Sequence, residues 1–143
     1  MPQLEPEFEL MNDGMAMVTR LCDMYPDQFG HIEPKLIMVA AIVNKPQPQG
    51  QSYDSAIVGI KPPVTLCTDK RYIIHFYKNV WDGYTDGQRA LLIASKLLRV
   101  DDECSGGVLP EDLKDVRRLV KAFGPDYHND PAVPDILAVK QIF

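Results

Sequence analysis

Cysteine is scarce in this chain, and its placement argues against the usual cysteine-built sites. Cys22, Cys67 and Cys104 are odd in number, far apart and never in a Cys-x-x-Cys pair. A structural zinc site of paired thiolates is therefore not expected; free thiols in a reducing cytosol are. Long apolar runs are missing as well: none approaches the roughly 18 residues of a membrane span. The opening MPQLEPEFELMNDG is acidic and has no basic segment leading into an apolar one, so it does not read as a secretory leader. Basic charge is in the minority, with 15 Lys and Arg against 20 Asp and Glu and a net charge of −5. Nucleic-acid binding, which needs clustered cations, is not expected. The acidity leaves a basic partner open, yet the acids are interleaved with Lys and Arg and form no stripe. Signatures of nucleotide and ester chemistry are also missing: there is no P-loop, no GxGxxG and no GxSxG.

What is present is an ordinary globular composition, 45% apolar and 24% charged over 143 residues, enough for one domain spanning 1–143 with a real core. Residues 7–24, with Phe8, Met11, Met15, Val18 and Cys22 near a 3.6-residue period, predict a helix whose Met-rich face serves the core. KLIMVAAIVN (35–44) predicts a buried strand, and KPQPQGQS (45–52) an exposed loop. YDSAIVGIKP (53–62) predicts a second strand, interrupted by Pro62-Pro63 and resuming briefly in VTLCT. YIIHFYKNV (72–80) is the strongest strand, rich in β-formers. Strands in sequence without helices between them favour a short antiparallel or mixed sheet.

After this, 81–100 predicts a turn, a cap and a helix. Thr85 and Gln88 fit a capping box, and Ala90, Leu91, Ala94, Leu97 and Leu98 form the apolar stripe. A second helix is predicted over 109–124, with Pro110 at its start and Gly124 beyond its end. The Pro-containing tail reads as irregular, with 131–143 an extended arm or late strand. The fold class is α+β: an N-terminal helix, a short sheet and two C-terminal helices.

The order of KLIMVAAIVN, RYIIHFYKNVW, TDGQRALL and KDVRRLVKAFG resembles a phage metallopeptidase domain family, zincin-like in fold, over most of the chain. In that family the Gln-Arg pair is followed closely by His-Glu-Leu-Leu-His. The two His bind zinc from one helix face and the Glu polarises the metal-bound water. A His-Asp-Val segment later supplies the third ligand. In this chain those positions fall on Ser95, Lys96, Arg99 and Lys114, so every functional position departs from the family pattern. The resemblance therefore implies a catalytically silent phage or prophage protein without metal or cofactor. It would act by binding a host or phage protein in the host cytoplasm or on the virion, for instance as an inhibitor of a host defence protein.

At the residue level, Lys96, Arg99 and Lys114 would repel a metal. They read either as a solvated face paired with Asp101, Asp102, Glu103 or Asp115, or as a patch that binds an anion or a partner. His31, His75 and His128 have no partner at ligand spacing, and Cys67 with His75 would meet only under a particular strand pairing. Other functions remain open: a live metal-dependent hydrolase with unconventional ligands, an oligomeric structural protein, or a DNA mimic.

Overall fold

The computed structural model describes residues 7–44, 55–109, 119, 122–123, 131–138 and 140. Four strands, β1 (Phe8–Leu10), β2 (Ile37–Ile42), β3 (Ser55–Gly59) and β4 (Tyr72–Tyr77), form one sheet in the order β1-β2-β4-β3. β1 runs antiparallel to β2, β2 parallel to β4, and β3 antiparallel to β4. The sheet is therefore mixed and the fold is α+β.

Helices α1 (Asn12–Met24), α2 (Pro26–Phe29), α3 (Lys78–Gly83) and α4 (Asp86–Leu97) complete the regular structure, with short 3₁₀ turns at Pro34–Leu36 and Val64–Leu66. Residues 8–10, predicted as helix, are instead a strand. Phe8 and Leu10 alternate with acidic neighbours, and the edge of β2 offers them Ile42 and Ala40 as ladder partners. The Met11 amide continues this by donating to the Val39 carbonyl at 2.9 Å, and α1 begins only after it. VTLCT does not resume a strand: Val64–Leu66 is a 3₁₀ turn. β4 ends at Tyr77, and the next six residues are α3.

Period-two burial sorts the sheet into two faces. Tyr72, Ile74 and Phe76 are buried with Ile37, Val39 and Ala41 against the helices. Phe76 stacks on Trp81 at 4.5 Å, and the Arg89 guanidinium covers the same indole at 5.1 Å. Fully burying such side chains contributes roughly 1.5–3 kcal/mol each, against about 1 kcal/mol for a cap, so packing dominates. The opposite face carries Phe8 (53% exposed), Leu10 (55%) and Val58 (47%), with His75 meeting Phe8 edge-on at 5.9 Å.

α4 starts with the predicted capping box. Thr85 Oγ1 accepts from the Gln88 amide at 3.2 Å, and Gln88 Oε1 accepts from the Thr85 amide at 2.9 Å. Of the helix predicted over 109–124, Leu109 is not helical, residues 119, 122 and 123 are helical and Leu119 is fully buried; the rest lies outside the described residues. In the tail, the Ala138 amide donates to the Asp135 carbonyl at 3.1 Å, closing a turn where an extended arm is predicted. Tyr25 Oη and Arg20 hold that turn by donating to the Ile136 and Leu137 carbonyls at 2.7 and 3.1 Å. Val133, Ile136 and Leu137 enter the core, which explains why the tail docks.

Candidate functional site

The last turn of α4 holds Ser95 and Lys96, two of the four positions singled out by the resemblance, and Arg99 follows just past its end. α4 is buried on nearly every side, from Gly87 through Leu97 except Arg89. Leu91, Leu92 and Ile93 are consecutive, so the apolar side chains spread beyond a single stripe.

Ser95 is 8% exposed and its hydroxyl donates to the Leu92 carbonyl at 2.7 Å. The hydroxyl proton is thus spent on the helix itself, a common use of serine inside helices. Lys96 is also only 8% exposed. Lys96 is therefore not part of a solvated face, one of the two readings of Lys96, Arg99 and Lys114 from the sequence, because the surrounding apolar elements enclose the helix. The charge on Lys96 reaches His75: burial chiefly, and Lys96 secondarily, hold that imidazole below its ordinary value.

Arg99 is partly exposed just past α4. Its Nε donates to the Leu109 carbonyl at 2.7 Å, while the Leu109 amide donates to the Arg99 carbonyl at 2.7 Å. Arg99 thus fastens the chain beyond the 101–107 loop back onto the helix. Lys114 lies outside the described residues, as do Asp115 and His128. His31 is exposed in the turn after α2, Cys67 is exposed in the turn after Val64–Leu66, and His75 sits within β4 on the sheet's far face. Among the described residues, no group of three or more His, Cys, Asp or Glu could hold a metal ion.

Of the acids offered by the sequence as partners for these cations, Asp101 is engaged elsewhere. It organises the loop after α4. Its carboxylate accepts from the Ser105 amide at 2.9 Å, Ser105 Oγ at 2.7 Å and the Gly107 amide at 3.1 Å, with Tyr72 Oη at 3.3 Å. Tyr72 Oη donates to the Gly107 carbonyl at 2.8 Å and accepts from the Gly106 amide at 2.9 Å. The Ser105 amide above all holds Asp101 below the usual carboxylate range, so it is ionised at neutral pH. Gly106 takes φ +103°, a conformation that favours glycine. This network links β4 to the loop, whereas the sequence offers Asp101 only as a partner for the neighbouring cations.

Cys22 and Cys104 are poor nucleophiles. Burial pushes the Cys22 thiol up to about 11 and raises Cys104 as well. No helix among the described residues is long and apolar enough to cross a membrane. No family model, no curated protein and no solved structure matches the chain.

Proposed function

We propose that this chain is a non-catalytic, metallopeptidase-like phage or prophage protein that acts by binding another protein. The observation that carries the reading is the content of α4 where the resemblance would place zinc ligands. Ser95 spends its hydroxyl on its own helix, Lys96 brings a buried cation, and Arg99 ties down the following loop. Ser95 and Arg99 are thus put to structural use, and a buried ammonium opposes a divalent cation at the same place. The order α1, β2, β4 and α4 agrees with the order the resemblance implies. Because Ser95 and Lys96 offer little surface, a partner would be met elsewhere, for example through the exposed apolar residues Phe8, Leu10 and Val58.

Two measurements test the reading together. Chain purified in zinc-containing buffer and dialysed should hold far less than one zinc and should leave a denatured protein substrate uncut. One tightly held zinc per chain would overturn the non-catalytic reading. The binding half is tested by tagging the chain in a bacterial host and weighing the purified species. A single host or phage protein recovered in fixed ratio, and lost on Phe8→Asp with Leu10→Asp, supports it. Recovery of the chain alone argues against it.

A further inference from the structure

A concave feature lies beside the loop that follows α4. It is a cleft of about 460 Å³ between the turn that follows β3 and the Asp101–Gly107 loop. Its walls include Lys61, Thr65, Arg71, Ser105, Gly106 and Gly107, with Asp101 at the base of the loop. The volume falls within the range of small-ligand sites.

The two walls are fixed independently of any ligand. On one side the Arg71 amide donates to the Leu36 carbonyl at 2.8 Å, and its guanidinium NH1 donates to the Asp69 and Lys70 carbonyls at 3.1 Å each. On the other, the Asp101 and Tyr72 network holds the loop, and the Ile60 amide donates to the Arg71 carbonyl at 2.8 Å. A Cβ on Gly59 would meet the Gly106 carbonyl oxygen at 1.8 Å, so strand and loop backbones touch directly. Such pre-organisation lowers the ordering cost of binding.

The charges decide what would enter. Lys61 and Arg71 contribute two positive charges to the lining and Asp101 one negative, a local sum of +1 in a chain whose net charge is −5. The Asp101 oxygens are already occupied by Ser105 N–H and O–H and Gly107 N–H. That carboxylate is therefore saturated by its own loop and has little need of Lys61 or Arg71. We infer that this cleft is a binding site for an oxyanion, the carboxylate or phosphate head of a small organic ligand, with Lys61 and Arg71 as its charge partners. Thr65 supplies a hydroxyl donor at the rim, and Lys61 and Arg71 receive the negative head. The site stands independently of the metallopeptidase-like reading and survives if that reading fails.

The experiment is an amide NMR titration of the full chain with two probes, inorganic phosphate and glutarate, at low ionic strength. Saturable shifts confined to 60–65, 71 and 105–107 are expected. Lys61→Gln should weaken binding roughly tenfold, as should added salt, since these are partly exposed charges. The exposed Lys35→Gln serves as a control for general surface attraction and should leave the affinity unchanged. Saturation by phosphate alone assigns a phosphate head, and by glutarate alone a carboxylate head. Two results overturn the site: no saturable shift at these amides with either probe, or affinity that Lys61→Gln and Lys35→Gln reduce equally. Matched amide spectra of the free variants establish that each has folded.

Discussion

A lysine only 8% exposed in the last turn of α4 occupies a place where apolar side chains would normally pack. Holding an ammonium there is costly unless it keeps its polar partners, so the charge marks a specific placement. Lys96→Met should raise the pKa of His75, because Lys96 is one of the two causes that depress it, while burial keeps it below the ordinary value. Proton NMR titration of His75 in the two chains reads this directly, and an unmoved pKa would remove the coupling. At Asp101, the Asn variant puts an amide donor against Ser105 and Gly107, which are donors themselves. A loss of about 1 kcal/mol in denaturant unfolding is expected, below the roughly 1.5–3 kcal/mol of charged hydrogen bonds because the residue is near the surface.

At the level of elements, α4 was the most legible. Its capping box was visible in Thr85 and Gln88, and both halves of it form. Thr85→Ala should cost about 1 kcal/mol in chemical denaturation, whereas Thr85→Ser should restore most of it. β4 was legible from its β-formers, although Lys78 onward turns into α3 once the pairing with β2 ends at Tyr77. β1 was missed because Met11 and Met15 extend an apparent helical period back over Phe8. The deciding factor, an open edge on β2, is long-range and invisible locally. The closing of the 101–107 loop was likewise hidden, since it depends on Tyr72, 29 residues before Asp101. The direct backbone approach of β3 to that loop gives a sharp test. Gly59→Ala should destabilise by about 1–3 kcal/mol or prevent folding, because carbonyl backbone cannot yield as a flexible side chain can. Gly83, where an added Cβ meets nothing within 4 Å, is the matched control.

For the molecule as a whole, two acid-sensitive groups among the described residues act in separate pH windows. His75 has a folded pKa below its unfolded value, so the unfolded chain takes up a proton first; stability should begin to fall as pH drops below about 6.5. Asp101 is depressed below the carboxylate range, so its contribution is full above the unfolded carboxylate value near pH 4 and is lost as pH falls through its lower folded value. Both therefore favour the folded state at higher pH, but in different intervals. Thermal melts across pH 3–8 should show a shallow decline and then a steeper one, and His75→Gln should remove the first alone. The buried end of α4 was only partly legible at this scale. The sequence placed Ser95 and Lys96 at the end of the helix, but the enclosure of Lys96 comes from the packing around α4 and not from its neighbours in sequence.

The strand order has a consequence for synthesis. β4 lies between β2 and β3 yet is made after both. On the ribosome, β1 and β2 can pair as soon as they emerge, while β3 waits without its ladder partner until Tyr72–Tyr77 follows. The two halves of the sheet are thus joined by a single late event, and the interval before it is when β3 is open to mispairing. Translation pauses that hold Ser55–Gly59 outside the ribosome while Tyr72–Tyr77 is still inside it should lengthen that interval and lower the yield of folded chain, whereas pauses after Tyr77 has emerged should not.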